Sequence, residues 1–290
     1  RRFGRFARLA GGVAGNMLAH GAVQLAAGKR PRAKDLLLTP RNAMKLTRQL
    51  AEMRGAAMKL GQIFSMDTGD LLPRELADIL ATLRDKGYAM PDAQLEEVLF
   101  EGLGADYADK LRHFEREPFA AASIGQVHRL WTCDGRAAVL KVQYPGIRES
   151  IDSDVDNLAS LLSMSGLLPK HMDMAPMLEE AKTQLHEEAD YEQEARYLKA
   201  FVRALGDDER FLIPRLIPHL SATRILGMTY VPGIPIEEVA HETAAERSRV
   251  LGLLFELLMI ELFQLKLVQT DPNFANYRYH ARTGQLALLD

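Results

Sequence analysis

Hydrophobic residues recur along this chain at two spacings, and the change between them marks its organisation. From residue 39 to residue 103 the apolar positions fall three or four apart, which places them on one face of a helix. We predict a first helix that carries Leu46, Met53 and Leu60 on its apolar stripe, a second over residues 73–84 and a third over residues 92–103. Turn signals at residues 69–70 and 86–87 separate these helices.

At Phe114 the spacing becomes alternating, which is typical of strands. Five strands are predicted to form an antiparallel sheet: residues 114–117, 125–132, 136–143, about 216–219 and 223–230. Further helices are predicted over residues 148–164, 175–205 and 244–267. The last of these is interrupted by charged residues, so it is expected to be a core helix and not a membrane span.

Composition places the chain among ordinary globular proteins. Its 290 residues are 47% hydrophobic and 26% charged, which is enough for two lobes with hydrophobic cores. The formal net charge of −3 gives no reason to expect a nucleic acid partner. The single cysteine, Cys133, excludes an intrachain disulfide and fits a reducing compartment.

The N-terminal arm differs from the rest of the chain in charge. Residues 1–34 contain eight basic residues and no acidic one, with apolar residues at helical spacing among them. Such a segment is suited to lie on an anionic membrane surface, although it lacks the uninterrupted apolar length of a transmembrane helix. Glycines weaken the helix prediction, and a targeting remnant or a flexible arm is the alternative. The chain begins without methionine, and we expect it to be a fragment that lacks much of a C-terminal lobe.

Polar residues near the C-terminus point to phosphoryl transfer. Asp271 and Asn276 are five residues apart, and Pro272 keeps Asp271 out of the helical region, which predicts a loop. Asp290 follows the apolar run 286–289, which predicts a short buried strand. Asn276 and Asp290 could supply oxygen ligands to Mg²⁺, and Asp271 could accept or orient a hydroxyl proton. An ordinary turn capped by Asp271 is the alternative.

Features that precede this loop fit the same chemistry. Lys141 lies near the end of a predicted strand in the pattern of a lysine that reaches nucleotide phosphates, although strand lysines are usually just solvated. Residues 118–125 form a loop between strands, where a kinase covers the phosphates. Alanines stand there in place of glycines, and each Cβ limits close backbone approach. Asp190 and Glu194 are one helical turn apart, so they either face Lys141 together or belong to a solvated acidic face.

Lys59 and Gln62 are three residues apart on the first predicted helix. Residues at this spacing share a helix face, so a charged head and an amide head could meet a common partner. The alternative is a solvated lysine beside Gly61, a glycine that lets helices pack closely.

In this order along the chain, these residues resemble the AarF/UbiB family of atypical protein-kinase-like ATPases. The family includes the coenzyme Q biosynthesis kinases of mitochondria and proteobacteria. The resemblance covers about residues 40–290 and rests on six elements: Lys59-Leu60-Gly61-Gln62, residues 120–126, Lys141, Glu188-Ala189-Asp190 with Glu194, residues 271–276, and Asp290. Gln269-Thr270 replaces the His-Arg of ordinary kinases and looks like the coenzyme Q subgroup.

The resemblance implies an α+β fold, a bilobal protein-kinase-like architecture with an N-terminal helical extension and a truncated C lobe. Its expected parts are a basic arm (1–38), the helical extension (39–110), an N lobe with a helical insertion (111–232) and the start of the C lobe (233–290).

The resemblance also implies a role for each matching residue. Lys141 would contact phosphates and pair with Glu194, and Asp271 would be the catalytic-loop aspartate. Asn276 and Asp290 would hold the metal. The nucleotide site would include Ala121, Ala122, Ser123, Gly125 and Lys141, and the alanine-rich loop would tune nucleotide binding. Lys59 and Gln62 would meet Glu188 and Asp190 in a regulatory contact that blocks a protein substrate.

The implied activity is a Mg²⁺-dependent ATPase that uses ATP to support ubiquinone biosynthesis. Its expected place is peripheral, on the cytoplasmic face of a bacterial inner membrane or the mitochondrial matrix side. Anionic lipid, isoprenoid quinone precursors and ubiquinone biosynthesis proteins would be its partners. Two rivals remain open: a true protein or small-molecule kinase, and a non-catalytic lipid-binding scaffold that holds nucleotide as a structural ligand.

Overall fold

The computed structural model describes residues 53–67, 89–165, 174–270 and 273–289. The predictions for the basic arm and for a helix over residues 73–84 lie outside these ranges, as do Asp271 and Asp290. The side chain of Gln62 is also outside the description.

In these ranges the helices and strands alternate irregularly, as expected for an α+β fold. The α-helices are α1 (Arg54–Asp67), α2 (Asp92–Leu103), α3 (Ile151–Ser165), α4 (Ala175–Glu188), α5 (Tyr191–Leu205) and α6 (Ala244–Ile260). The strands are β1 (Leu111–Phe114), β2 (Ala120–Ala121), β3 (Gly125–Thr132), β4 (Ala137–Gln143), β5 (Phe211–Leu212), β6 (Ile225–Thr229), β7 (Ile234–Pro235), β8 (Tyr277–His280) and β9 (Gln285–Leu288).

Contacts divide the chain into two compact units. Besides residues up to Met90, the first contains Ala121–Gly125 and Tyr144–Ala189. In it α1, α3 and α4 pack pairwise around buried apolar side chains that include Leu60, Val155 and Leu185.

The second unit contains Pro91–Ala120, Gln126–Gln143 and Asp190–Asp290. One of its sheets has the order β1-β3-β4-β6, with β2 paired to β3. Strands β4 and β6 are antiparallel, with Lys141 opposite Leu226. A Cβ on Gly227 would lie 2.5 Å from the Leu220 carbonyl oxygen, so only glycine lets this turn lie directly on β6.

The other sheet has the order β5-β9-β8-β7 and packs against α6. Strands β8 and β9 form an antiparallel hairpin, whereas β5 runs parallel to β9. Tyr279 and Leu286 are fully buried between this sheet and the α6 residues Leu253 and Leu257.

The structure confirms several predicted elements and corrects others. Helix α2 and strand β3 match their predicted limits, and the first sheet has five strands, but β2 takes the place of the predicted strand over 216–219 among them. The predicted strand over 216–219 is wrong: only Leu216 bridges to Met228, because Pro218 begins a 3₁₀ turn. The predicted strand over 114–117 ends at Phe114 instead, and the helix over 175–205 is two helices.

The C-terminal helix also ends earlier than predicted, since a π-helical turn, Glu261–Leu265, follows α6. The spacing of apolar residues gave no sign of β5 and β7, which are two residues long. Within the part of the chain that the structure describes, no helix combines the length and apolar character needed to cross a bilayer.

His128 is a fully buried histidine on β3 whose hydrogen bonds fix its tautomer. Its Nδ1 lies 2.9 Å from the Glu115 carbonyl oxygen, which can only accept, so Nδ1 carries the proton. Nε2 therefore accepts from the Gln126 amide at 2.8 Å. Burial lowers the pKa of His128 below its ordinary value of 6.5, against smaller opposing effects of the Glu115 carbonyl and Asp92. Its imidazole is held neutral.

This predicts a pH dependence of stability. As pH falls through 6.5 the unfolded chain takes up a proton at His128 before the folded chain does, so the free energy of unfolding should fall. Replacing His128 by asparagine should flatten this slope, measured by urea denaturation between pH 7.5 and 5.5. His113→Asn, at an exposed position on β1, is the control. Equal slopes for wild type and His128→Asn would contradict the prediction.

Candidate functional site

Lys141 and Glu194 form an ion pair in the second unit. The Lys141 Nζ lies 2.8 Å from Oε1 and 3.0 Å from Oε2 of Glu194. The exposed fractions of the two side chains are 14% and 18%, so water screens the pair only weakly. The Lys141 ammonium also lies 5.3 Å from the centre of the Tyr191 ring, within cation–π distance. The ammonium therefore has a fixed place on the sheet.

Glu194 is held in that place by the first turn of α5. The Asp190 side chain accepts the Gln193 N–H at 2.9 Å and caps the helix. The carboxylates of Glu192 and Glu194 in this turn are favoured by the positive end of the helix dipole. Asp190 and Glu194 therefore do not form one acidic face as the spacing suggested: Asp190 starts the helix, and Glu194 reaches Lys141.

Asn276 lies at the end of the β8–β9 hairpin. Tyr277 pairs with Leu288, and one position further the Leu289 N–H donates to the Asn276 carbonyl at 2.8 Å. The residue that precedes Asp290 is thus hydrogen-bonded to Asn276. Side-chain amide and carboxylate oxygens are hard ligands that suit Mg²⁺. Among the described residues there is no cluster of three acidic, histidine or cysteine side chains that could hold a metal.

Glu261 organises the chain that leads to the Asp271 loop. It begins the π-helical turn after α6, and its side chain is buried, with 4% of its surface exposed. Oε2 accepts the Gln269 N–H at 3.3 Å, and the Glu261 carbonyl accepts the Leu267 N–H at 3.2 Å. Between Glu261 and Leu267, Lys266 takes a left-handed conformation with φ of 53°. Sequence analysis missed this role, because Glu261 looked like a polar interruption of a core helix.

In the first unit, Lys59 on α1 meets Glu188 at the end of α4. The Lys59 Nζ lies 2.8 Å from Glu188 Oε1, and the lysine side chain is 5% exposed. The other carboxylate oxygen, Oε2, accepts from the Ser123 hydroxyl. One carboxylate thus joins the lysine of the helix to the alanine-rich loop.

The same loop lies close to α1. A Cβ on Gly55 would come within 3.1 Å of Ile124 Cγ2 and 3.4 Å of the Ser123 carbonyl oxygen. Within the loop the Ala122 N–H donates to the Gly125 carbonyl at 3.0 Å. None of its residues has a positive φ, so Gly125 does not use the conformational freedom of glycine. Gly55 gave no signal in the sequence beyond its place one turn before Lys59.

The predicted site residues therefore fall into three sets. Lys141, Glu194 and Asn276 lie in the second unit with Asp190, whereas Lys59, Glu188, Ala121, Ala122, Ser123 and Gly125 lie in the first. Asp271, Asp290 and the Gln62 side chain lie outside the described residues. The structure brings together two predicted pairs, Lys141 with Glu194 and Lys59 with Glu188.

Comparison with known proteins agrees with this geometry. The sequence pattern of the ABC1 atypical kinase-like domain matches residues 82–290. The chain belongs to the ABC1 atypical kinase-like family. Family membership confirms the resemblance inferred from the motifs, including its relation to the kinases of coenzyme Q biosynthesis. The fold is the predicted α+β kinase-like fold, here with two sheets.

Relatives of this ABC1-family chain include mitochondrial proteins. It is 38% identical over its whole length to the atypical kinase COQ8 of Saccharomyces cerevisiae, and spans 58% of that protein. It is 40% identical over 87% of its length to the atypical kinase COQ8B of Rattus norvegicus, and spans 48% of it. A solved complex of Rv3197 with erythromycin from Mycobacterium tuberculosis matches with a TM-score of 0.58 and 28% identity, over 86% of this chain and 63% of that one.

Replacing Glu188 by glutamine should destabilise this ABC1-family chain. The change removes the negative charge that lies 2.8 Å from the nearly buried Lys59 ammonium, and breaking a buried pair from one side costs about 3 kcal/mol. The measurement is the free energy of unfolding from urea denaturation. Glu187→Gln is the matched control, because Glu187 is the exposed neighbour of Glu188. Equal losses in the two variants would show that the pair with Lys59 contributes nothing specific.

Glu261 predicts a pH dependence opposite in sign to that of His128. Burial raises the pKa of Glu261 above its ordinary 4.5, although the Gln269 N–H acts to lower it. As pH rises from 4.5, the unfolded chain loses the Glu261 proton before the folded chain does, so stability falls. Glu261→Gln should lack this loss and gain stability relative to wild type between pH 4.5 and pH 7.

The measurement is urea denaturation of both proteins at each pH. The exposed Glu238, replaced by glutamine, serves as the control. A constant stability difference between wild type and Glu261→Gln across this range would contradict the assignment.

Proposed function

We propose that the protein is a Mg²⁺-dependent ATPase of the atypical kinase type that supports ubiquinone biosynthesis at a membrane surface. The observation that carries this proposal is the bidentate pair between Lys141 and Glu194. A strand lysine held by a helix glutamate is the arrangement that kinases require to bind the phosphates of ATP.

The pair suits phosphate binding for a physical reason. A solvated lysine must lose the freedom of its long side chain before it can hold an anion. Lys141 is already fixed by two oxygens of Glu194 and by the Tyr191 ring, so little of that entropy remains to be lost. The ammonium would contact phosphate oxygens while Glu194 keeps it in place.

The hairpin end supplies the remaining parts of the proposed site. Asn276 and Asp290 would hold Mg²⁺, and the hydrogen bond from Leu289 to Asn276 supports this role because it links the two ligand-bearing segments. When bound, Mg²⁺ neutralises negative charge on phosphate oxygens. Asp271 would orient the attacking water, and Glu261 would fix the chain before it through Gln269. The side-chain oxygens of Asn276 and Asp290 are hard ligands of the kind that Mg²⁺ prefers.

Hydrolysis is favoured over protein phosphorylation by the first unit. We propose that the nucleotide site is lined by Ala121, Ala122, Ser123 and Gly125. The Ser123 hydroxyl is engaged by Glu188, which also holds Lys59. Lys59 and Gln62, with Glu188 and Asp190, would form the regulatory contact that excludes a protein substrate.

The biological setting is proposed from the relatives. Those described as COQ8 are mitochondrial atypical kinases, and the chain spans about half the length of the curated relatives it matches. We therefore propose ubiquinone biosynthesis as the process, with isoprenoid quinone precursors and its biosynthetic proteins as partners. The basic arm, residues 1–38, would provide contact with anionic lipid.

Asp271→Asn should abolish ADP production and leave nucleotide binding largely intact. The substitution removes the carboxylate that would orient the attacking water but not the groups that would hold phosphate. ADP release from Mg·ATP is measured with and without anionic liposomes, and binding by isothermal titration. Wild-type turnover should rise with liposomes.

Two further observations complete this test. Radiolabelled ATP incubated with lysate proteins separates the rival kinase activity, because an ATPase releases inorganic phosphate without labelling a partner. Asp207→Asn, at an exposed position in the loop after α5, is the matched control. Unchanged turnover in Asp271→Asn would overturn the assignment, and binding without any turnover in wild type would favour the scaffold.

A further inference from the structure

Arg129 on β3 lies between two aromatic rings in the second unit. Its Cζ is 4.3 Å from the centre of the Phe119 ring and 4.8 Å from the centre of the Tyr230 ring. The two rings meet edge to face, with centres 6.1 Å apart. Both cation–ring distances are well within the range of about 6 Å over which the interaction is significant. We call these three residues the Arg129 cluster.

The guanidinium of Arg129 has no carboxylate partner among the described residues. Its contacts there are the two rings, and its Nε is buried without a hydrogen bond. Most arginines of the second unit with described side-chain partners, such as Arg210, pair with acids. A half-buried cation held only by rings costs desolvation that the ring contacts offset in part, so its position calls for a reason beyond stability.

The Arg129 cluster lies on the face of the sheet that carries Lys141. Opposite residues of an antiparallel pair share a face, and Val139 lies opposite Met228. Lys141 is two residues after Val139 and Tyr230 two residues after Met228, so both side chains stand on that face. The Tyr230 N–H donates to the Ala137 carbonyl at 3.0 Å, which places Tyr230 four residues, or ~13 Å, from Lys141 along β4.

This separation gives the cluster a place relative to the phosphates. If Lys141 holds the phosphates, a nucleotide that extends along this face toward Tyr230 is long enough to place its base beside the Arg129 cluster. Phe119 is part of that end: the residue is 39% exposed, and its N–H donates to the Val127 carbonyl at 2.7 Å at the start of the alanine-rich loop.

We propose that Arg129 is a positioning residue for the nucleoside end of the bound nucleotide, an inference that rests on the proposed function. The guanidinium draws Phe119 and Tyr230 together and fixes the Phe119 ring, which offers its face to the base. Arg129 itself does not contact phosphate. The cation thus acts through the two rings on the base and not through charge on the triphosphate.

The test compares binding of ATP, ADP and adenosine to the full chain by isothermal titration. Arg129→Met keeps the aliphatic stem and removes the charge. This variant should bind all three ligands more weakly by the same factor, roughly three- to tenfold. That factor corresponds to the loss of one cation–π contact. Arg129→Lys should restore most of the affinity, because a lysine ammonium also binds ring faces. Arg136→Met, on the exposed β3–β4 turn, should change nothing.

A second variant guards against misfolding of the first. Phe119→Leu should give the same loss, and Arg129→Met added to it should weaken binding no further. Failure of wild type to bind nucleotide would overturn the proposed function itself. If wild type binds nucleotide and Arg129→Met binds it with the same affinity, only this inference is overturned. A loss of affinity confined to ATP and ADP would also overturn it, because that result would mean that Arg129 contacts phosphate directly.

Discussion

The ion pair between Lys141 and Glu194 is the interaction on which the proposed chemistry of the second unit depends. It joins a strand residue to a helix residue 53 positions later in the chain, so neither segment alone determines the position of the ammonium. The pair is only slightly exposed, and a partly buried charge pair is costly to break from one side. The capped start of α5 and the β4–β6 register both serve to place these two side chains.

Burial also acts on two polar side chains elsewhere in the second unit, one of them a base and the other an acid. His128 is held neutral by a carbonyl acceptor and an amide donor, while Glu261, the first residue of a π-helical turn, is buried and accepts the backbone N–H of Gln269. Burial lowers the pKa of the base and raises that of the acid. Burial thus disfavours the charged form of each side chain. The hydrogen bonds of each hold a segment whose position apolar packing alone would not determine.

Sequence alone predicts the elements whose signals are local. Helix α2 was found because its apolar residues recur at helical spacing after a turn signal at residues 86–87, and Lys141 because it follows apolar residues of a strand. Contacts that depend on tertiary structure gave no such signal: the burial of Glu261, the approach of Gly55 to the loop, and the rings around Arg129. The wrong strand over 216–219 is different, because Pro218 was a local signal against it.

The acid-rich stretch from Glu187 to Glu194 shows why spacing could not assign its roles. On one continuous helix, residues 188 and 194 are six apart, and at about 100° per residue their side chains would point in directions that differ by about 120°. Asp190 instead caps a new helix, which ends that fixed relation. Glu188 is then oriented by α4 toward Lys59, and Glu194 by α5 toward Lys141. Because an aspartate can continue an acidic helix face or start a new helix, only the fold decides which carboxylate serves which lysine.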